Sequence, residues 1–340
     1  MMTEKKQNFF DCGLQELQRI LMDAGIEKYR VLQVLNWFYL KDITDPSKMT
    51  NLPQKVKDIL AHNFSFDAAN LKKILESSDG TKKLVFSEPD GISFESILIP
   101  DEKKLTLCMS TQAGCALKCA FCYTGLGGLK RNLKIREIVG QYLHARRIAV
   151  MPITNIVFMG MGEPFDNSSN LKTALEILTN PDMLCFSARK ITISTAGFID
   201  EMHNFHEWEI KANLAVSLNS ADDDVRSKLM PINKKYTLEQ LLQTCRSLKL
   251  PTRQRITFEY VMLSGINDRD EDVRLLAKKL KGIKCKINLI VFNQFPDSKF
   301  KPPTQERVME FGLSLRDAGF VVTIRKSKGE DIMAACGQLG

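Results

Sequence analysis

The chain has 340 residues, 44% of them hydrophobic, and a formal net charge of +8. That length suggests about two domains, or one barrel with an added module, and enough apolar residues for a sizeable core. There is no apolar run of the roughly eighteen residues a membrane span needs, and no apolar signal core follows Met1, so a cytoplasmic protein without membrane contact is expected. Nine cysteines, an odd number without regular spacing, argue against a disulfide framework and for thiol or metal chemistry.

Residues 1–70 read as a small helical accessory domain. Leu14, Leu17, Ile20 and Leu21 recur at helical spacing, as do Val31, Val34, Leu35 and Phe38, and then Val56, Ile59 and Leu60. Pro46 and Pro53 punctuate the stripes, and Trp37 reads as a packing residue. From 71 to 100 the period changes, and Lys83 to Phe86 and Phe94 to Ile99 read as linker strands between turn-rich segments at Ser78-Asp79-Gly80 and Pro89-Asp90-Gly91.

Residues 101–340 alternate strand and helix signals. Apolar or β-branched runs lie near 105–109, 154–160, 190–195, 212–218, 256–262 and 285–292, with helical patterns such as 135–148 and 237–248 between them. A helix near 304–318 and a strand near 320–325 follow. The class is α/β: a parallel sheet with helical crossovers, its six units curling into a partial β/α barrel. The polar residues that interrupt these runs fall at C-terminal strand ends: Gly160 to Pro164, Ser194 to Gly197, Ser217 to Asn219, and Asn293-Gln294. That rim is where parallel barrels build active sites.

The first strand runs into a loop with Cys115, Cys119 and Cys122. Three cysteines spaced four and then three apart can turn their thiolates to one point, which suits a soft metal centre. Three ligands leave one position open to substrate, unlike a closed structural zinc site. Spacing alone leaves zinc, an unligated cysteine cluster and an iron–sulfur centre as alternatives. Around this loop, Lys103 to Arg147 holds nine basic residues against one acid, Glu137. Such a field suits a polyanion such as RNA, and a solvated basic face is the plainer alternative.

Several motifs together carry a family likeness. The cysteine loop, with Phe121 before its last cysteine, resembles the cluster loop of the radical S-adenosylmethionine (radical SAM) superfamily. The loop combined with Gly160-Met161-Gly162-Glu163-Pro164, Met230-Pro231-Ile232-Asn233 and the ending Gly329 to Leu339 resembles the RlmN/Cfr family of radical SAM RNA methyltransferases over nearly the whole chain. Ser77-Ser78-Asp79-Gly80-Thr81 is similar to RlmN more than to Cfr, which implies methylation at adenine C2 rather than C8.

The resemblance implies a partial (β/α)6 radical SAM barrel with a 4Fe-4S cluster on Cys115, Cys119 and Cys122, and two S-adenosylmethionine molecules per turnover. It implies that Cys336 is methylated by the first. A radical from the second then removes hydrogen from that methyl group, and the methylene radical adds to the base. Glu95 matches the family's proton acceptor, and Cys108 then forms a disulfide with Cys336 to release product. The S-adenosylmethionine positions carried over are Gly162, Glu163, Ser194, Ser217, Leu218, Asn219 and Asn293. The partners implied are 23S rRNA and tRNA, an electron donor such as flavodoxin, and no second subunit.

Three positions depart from the family pattern: Tyr123 stands for a small residue, Asn219 for histidine and Gln294 for proline. The sequence also stops four residues after Cys336, without the longer tail many relatives carry. Cys12, Cys185, Cys245 and Cys285 match no motif and read as buried small hydrophobes. Two alternatives from other classes are a non-catalytic zinc-stabilised RNA-binding protein and an enzyme that generates a glycyl radical on a partner.

Overall fold

A computed structural model describes residues 6–252 and 254–340. The N-terminal apolar stripes become α1 (Leu14–Asp23), α2 (Lys28–Leu35) and α3 (Gln54–Asn63). Their inner faces meet on an aromatic cluster in which Phe9 lies 4.1 Å from Phe38 and Phe38 stacks 4.7 Å from Phe66. The ends of this region are drawn together by β1 (Gln7–Asn8), paired in parallel with β2 (Phe64–Ser65). Trp37 is buried and donates its indole N–H to Asn51 Oδ1 at 2.6 Å, so it is a packing residue.

Next comes an antiparallel run, β3 (Leu71–Glu76), β4 (Lys82–Ser87), β5 (Ser93–Asp101) and β6 (Lys104–Cys108). The cysteine loop is held in a small ribbon of β7 (Gln112–Gly114) and β8 (Leu129–Asn132), with the single turn α4 (Tyr123–Leu126) inside it. The alternation that follows is α5 (Ile135–Ile148), β9 (Asn155–Phe158), α6 (Ser168–Thr179), β10 (Ile191–Thr195), α7 (Ile199–His206) and β11 (Asn213–Ser217). It continues through α8 (Asp223–Leu229), α9 (Leu238–Ser247), β12 (Ile256–Met262), α10 (Asp270–Leu280), β13 (Cys285–Val291), α11 (Gln305–Asp317) and β14 (Val322–Arg325).

These strands make one ten-stranded sheet in the order β3, β4, β5, β6, β9, β10, β11, β12, β13, β14, parallel from β6 onward. The strands over 71–100, read from sequence as a linker, are thus continuous with the barrel sheet. Ile97 of β5, Cys108, Ser194, Ser217, Glu259, Ile290 and Arg325 of β14 all line a single cavity, so the sheet curls around it. Period-two alternation explains the division of labour on β12: Glu259 and Val261 face the cavity, and Phe258 and Tyr260 are fully buried on the other side.

Local signals set the helix starts. Thr237 and Gln240 bond reciprocally at the head of α9, Asp222 accepts from Val225 N at 2.9 Å ahead of α8, and Thr304 accepts from Arg307 N ahead of α11. No helix among the described residues is long and apolar enough to cross a membrane.

The basic stretch corrects a sequence expectation. Arg131 pairs with Glu137 and Asp90, Arg136 with Asp11, Glu88 and Glu137, and Arg146 and Arg147 with Asp42. Asp11 and Asp42 belong to the N-terminal region, so Arg136, Arg146 and Arg147 join it to α5, while Arg131 is tied to Asp90 and to Glu137 at the head of α5; the four do not form a free basic face. The exposed field is left to Lys103, Lys104, Lys118, Lys130 and Lys134, which make no ion pair among the described residues. A count along the sequence could not see this, because four of the five neutralising acids, Asp11, Asp42, Glu88 and Asp90, come from outside the counted stretch.

Candidate active site

The cysteine loop begins at Gly114, whose φ of 78° and whose packing against the Gly128 carbonyl leave no room for a side chain. Cys115 N then donates to Gly128 O at 3.1 Å, and Cys122 N to Cys119 O at 3.1 Å, folding the loop back so that all three thiols line the cavity. Phe121 packs with Met230, Phe292 and Phe295 in an apolar cluster that excludes water from this wall. Burial pushes the Cys115 thiol up to about 12 and raises Cys119 and Cys122, an effect the neighbouring thiols strengthen at Cys115 and Cys119. Buried thiols held protonated are released by metal, because coordination takes the thiolate. The three are not drawn together as a set for one ion, and a cluster that takes one thiolate per iron does not require that.

Glu163, buried in the loop that follows β9, lines the same cavity. Its carboxylate accepts from Ala196 N at 2.7 Å and Phe165 N at 3.1 Å, and its own N–H donates to Gln112 Oε1 at 2.8 Å. Burial raises its pKa to about 7 against the pull of these hydrogen bonds. Gly162, at φ 96°, lies so close to the Gln112 side chain that any Cβ would collide with it. Gly162, Glu163, Ser194, Ser217 and Asn219 all line the cavity.

Leu218 does not: its side chain is in the core, and it contributes only backbone, donating to Glu259 O at 2.9 Å. Asn219, where the family pattern has histidine, adopts φ 57°. Its Oδ1 accepts from Val261 N at 2.8 Å and its Nδ2 donates to Met230 Sδ at 3.2 Å, which fastens the end of β11 to β12.

Sequence reasoning missed the group that ties these ends together. Arg226 on α8 is wholly buried, and its guanidinium donates to Leu218 O at 3.1 Å, Ala196 O at 2.9 Å and Asn233 Oδ1 at 2.5 Å. Burial brings its pKa down to about 10. The available signal was Asn233 in the Met230 to Asn233 motif, since a buried amide needs a partner.

Two more thiols reach the same cavity. Cys108 is the last residue of β6 and Cys336 lies beyond β14, and both are free. Burial pushes Cys108 up to about 12 and raises Cys336, while Arg325 opposes both shifts. Arg325 and the buried Glu259 line the cavity beside them and were also missed; nothing in a β-strand pattern distinguishes an inward polar residue from a solvated one.

Asn293 and Glu95 lie outside the cavity wall. Asn293 donates from Nδ2 to Cys336 O at 3.0 Å and accepts from Ser327 Oγ at 2.5 Å. Glu95 pairs with Lys83 at 2.9 Å and accepts from Gly340 N at 3.3 Å; burial raises its pKa and Lys83 holds it back. The other two departures from the family pattern touch the tail as well. Tyr123 N donates to Gly337 O at 2.8 Å, and Gln294 O accepts from Gln338 Nε2 at 2.6 Å. Of the remaining cysteines, Cys12, Cys245 and Cys285 are buried as expected, but Cys185 is exposed, on a turn with φ 52°.

Residues 109–277 match the radical SAM superfamily, and residues 7–65 match the ribosomal RNA large subunit methyltransferase N-terminal domain. A dual-specificity RNA methyltransferase RlmN from Bdellovibrio bacteriovorus is 42% identical over 98% of this chain and 83% of its own length. One from Syntrophotalea carbinolica is 45% identical, covering 96% and 87%. The chain belongs to the RlmN family. A crystal structure of a radical SAM methyltransferase from Sphaerobacter thermophilus superposes on this RlmN family member with a TM-score of 0.92 at 38% identity, covering 98% of this chain and 99% of that one.

RlmN-family membership makes this a radical SAM enzyme, implies a 4Fe-4S cluster and S-adenosylmethionine, and displaces the non-catalytic zinc reading. The cavity fits both groups. Three cysteines and a buried carboxylate lining one cavity are the donor types that iron and an ammonium group would take.

Proposed function

We propose that this enzyme methylates C2 of adenine in RNA, in 23S rRNA and in tRNA beside the anticodon, with the methyl group carried on Cys336. The observation that carries the reading is the presence of five thiols, Cys115, Cys119, Cys122, Cys108 and Cys336, on one cavity. Three serve a cluster, and two more are left for covalent chemistry that cluster binding does not need. An enzyme that only generated a radical on a partner would have no use for the second pair.

Cys115, Cys119 and Cys122 would hold the cluster, which when bound supplies reductive cleavage of S-adenosylmethionine, with electrons from a donor such as flavodoxin. Glu163 would take the ammonium of S-adenosylmethionine, and Ser194 and Ser217 would bond its hydroxyl groups. Gly162 gives the ligand access to backbone, and Leu218 contributes through its main chain. Asn219 keeps a second amide proton for the ligand after serving Met230.

Adenine C2 lies between two ring nitrogens and is too electron-poor to attack a sulfonium methyl directly. Cys336, as thiolate, would displace the methyl from one S-adenosylmethionine, with S-adenosylhomocysteine as the leaving group; the cluster and a second S-adenosylmethionine, when bound, would supply the radical chemistry that joins this carbon to the base and would take back the one electron the adduct must lose. Arg325 favours the thiolate that burial otherwise suppresses. Once the base is joined to the sulfur through that carbon, Cys108 attacks Cys336 sulfur. A sulfur–sulfur bond forms, the carbon–sulfur bond breaks with its electron pair going to the departing carbon, which takes up a proton to become the methyl group, and the resulting disulfide takes two electrons to reset. Glu95 would accept the ring proton after its contacts with Lys83 and Gly340 open. Asn293 acts on Cys336 through its carbonyl and is proposed here as a tail anchor.

Residues 1–70, with the free lysines of 103–134, are the proposed RNA-binding surface. The target base must leave its stack to reach the cavity. The test is anaerobic incubation of iron-reconstituted protein with reductant, S-adenosylmethionine and unmodified 23S rRNA or tRNA, followed by mass spectrometry of the nucleosides. The reading predicts 2-methyladenosine; 8-methyladenosine would move the enzyme to Cfr-type chemistry, and no methyladenosine alongside 5'-deoxyadenosine would overturn the substrate.

A further inference from the structure

The turn from Ser77 to Thr81 takes no part in the chemistry above, yet it is bonded to the loop that carries Cys336. Ser77 Oγ donates to Asp331 Oδ1 at 2.6 Å and Ser78 N to Asp331 Oδ2 at 3.0 Å. In the other direction Gly329 N donates to Asp79 Oδ2 at 3.0 Å, and Asp79 Oδ1 accepts from Thr81 N at 2.9 Å. The two segments therefore exchange carboxylates, each accepting bonds from the other's backbone. Burial works against the Asp79 charge, but the bonds from Thr81, Gly329 and Ser77 prevail and hold its pKa down to about 2, so the contact is charge-assisted at any ordinary pH.

Two further observations extend the grip. Gly329 sits at φ 70°, and a Cβ there would come within 2.9 Å of both Ala334 Cβ and Thr81 Cγ2, so the loop is folded back tightly on itself against the turn. Two residues along from Thr81, Lys83 is buried, and its ammonium donates to Met333 O at 3.0 Å while pairing with Glu95. Met333 is itself at φ 54°, a left-handed position that a residue other than glycine holds only when its surroundings fix it. The loop from 329 to 336 is thus held at its start by Asp79, near its middle by Ser77 and Lys83, and at its end by Asn293 on Cys336 O.

We propose that Ser77, Asp79, Lys83 and Asp331 are positioning residues that fix the 329–336 loop so that the Cys336 thiol faces the cavity, and that they set how tightly radical formation is coupled to methyl transfer. The first half stands on the geometry alone; the second rests on the function proposed above. One sulfur must meet a methyl donor, a base and Cys108 in turn. Displacement by about an ångström is enough to cost orders of magnitude in such reactions, and a radical formed before the thiol is in place is spent without product.

The test uses the full-length, iron-reconstituted protein under anaerobic conditions. Asp331→Ala removes an exposed side chain, Ser77→Ala its partner, and Lys83→Met the buried donor, with Lys83→Arg as the conservative control. The first readout needs no turnover: the rate of iodoacetamide labelling at Cys336, read by peptide mass spectrometry with buried Cys245 as the internal reference. The Ser77→Ala/Asp331→Ala pair should raise labelling of Cys336 about tenfold, as loss of charge-assisted hydrogen bonds predicts, with Cys245 unchanged. Equal labelling of Cys336 in parent and variant overturns the proposal, and so does a parallel rise at Cys245, which would mean general loosening.

The second readout is the ratio of 5'-deoxyadenosine to methyladenosine. It should rise about tenfold in the variants with KM for RNA unchanged and be largely restored by Lys83→Arg. An unchanged ratio overturns the coupling claim. A parent enzyme that makes no methyladenosine would count against the function, and the labelling result would still decide the positioning role.

Discussion

The cavity has two kinds of wall. Cys108, Glu163, Ser194, Ser217, Glu259 and Arg325 stand on or just beyond strands of a continuous hydrogen-bonded sheet, whereas Cys115, Cys119, Cys122 and Cys336 stand on loops. The loops differ again from each other. The cysteine loop is fixed by backbone bonds to its own ribbon and by apolar packing around Phe121. The Cys336 loop is fixed mainly by side chains, Asp79, Ser77, Lys83 and Asn293. A cluster needs a site that does not move, and a sulfur that changes partners needs one that can be released. Side-chain anchors open singly at a cost of a few kcal/mol or less, while a dry, backbone-bonded loop opens as a unit.

The largest effect that could break this comparison is at the thiols themselves. Cys336→Ala should lower methyladenosine formation by at least about a thousandfold while 5'-deoxyadenosine still forms, if the two walls serve separate steps as proposed. Cys119→Ala should abolish both together with the iron content measured by metal analysis. If Cys336→Ala also lost iron, the walls would not be separate.

Next in size is the pH dependence of Glu163. Its pKa of about 7 lies above the ordinary 4.5, so between these values the folded protein holds a proton that the unfolded chain has released. Stability from this group therefore falls as pH rises from 4.5 through 7. Binding of a cationic ligand runs the other way, because the carboxylate must be charged. S-adenosylmethionine affinity, measured by equilibrium dialysis, should drop by up to about tenfold per pH unit below 7, and Glu163→Gln should flatten that profile.

A smaller effect concerns the loop wall. Because burial keeps Cys336 protonated, its methylation in the absence of RNA should quicken as pH rises above neutrality, and Arg325→Met should shift the rise to higher pH. Intact-protein mass spectrometry would show the added methyl group. Last come the surface charges: Lys118→Ala and Lys130→Ala should each reduce the salt slope of RNA binding by about one phosphate contact. Arg136→Ala should change that slope little and lower the melting temperature instead, because its charge is already neutralised by Asp11 and Glu88. A slope change at Arg136 as large as at Lys130 would return the arginines to the RNA surface.

Much of this was legible in the sequence because it depends on local periodicity. The helix expected at 135–148 spans those residues, and the runs near 256–262 and 285–292 are strands β12 and β13. The strand-end residues were found because a parallel barrel gathers one end of every strand. What escaped depends on pairs far apart in the chain. Arg226 reads as one more charge on an acidic-headed helix until the carbonyls of Ala196 and Leu218 close around it. Lys83 reads as a strand-edge lysine until Glu95 and Met333 bury it. Asn293 falls on the expected rim, yet its amide is spent on Cys336 and Ser327, outside the cavity wall.

The bond between Ser77 and Asp331 joins positions 254 apart in the chain, and it links the turn after β3, at one edge of the ten-stranded sheet, to the segment after β14, at the other. An open sheet is thereby closed into a ring by side chains where no strand ladder exists. Closure across so long a stretch of chain carries a large entropic cost, so it belongs late in folding, after the strands between have paired.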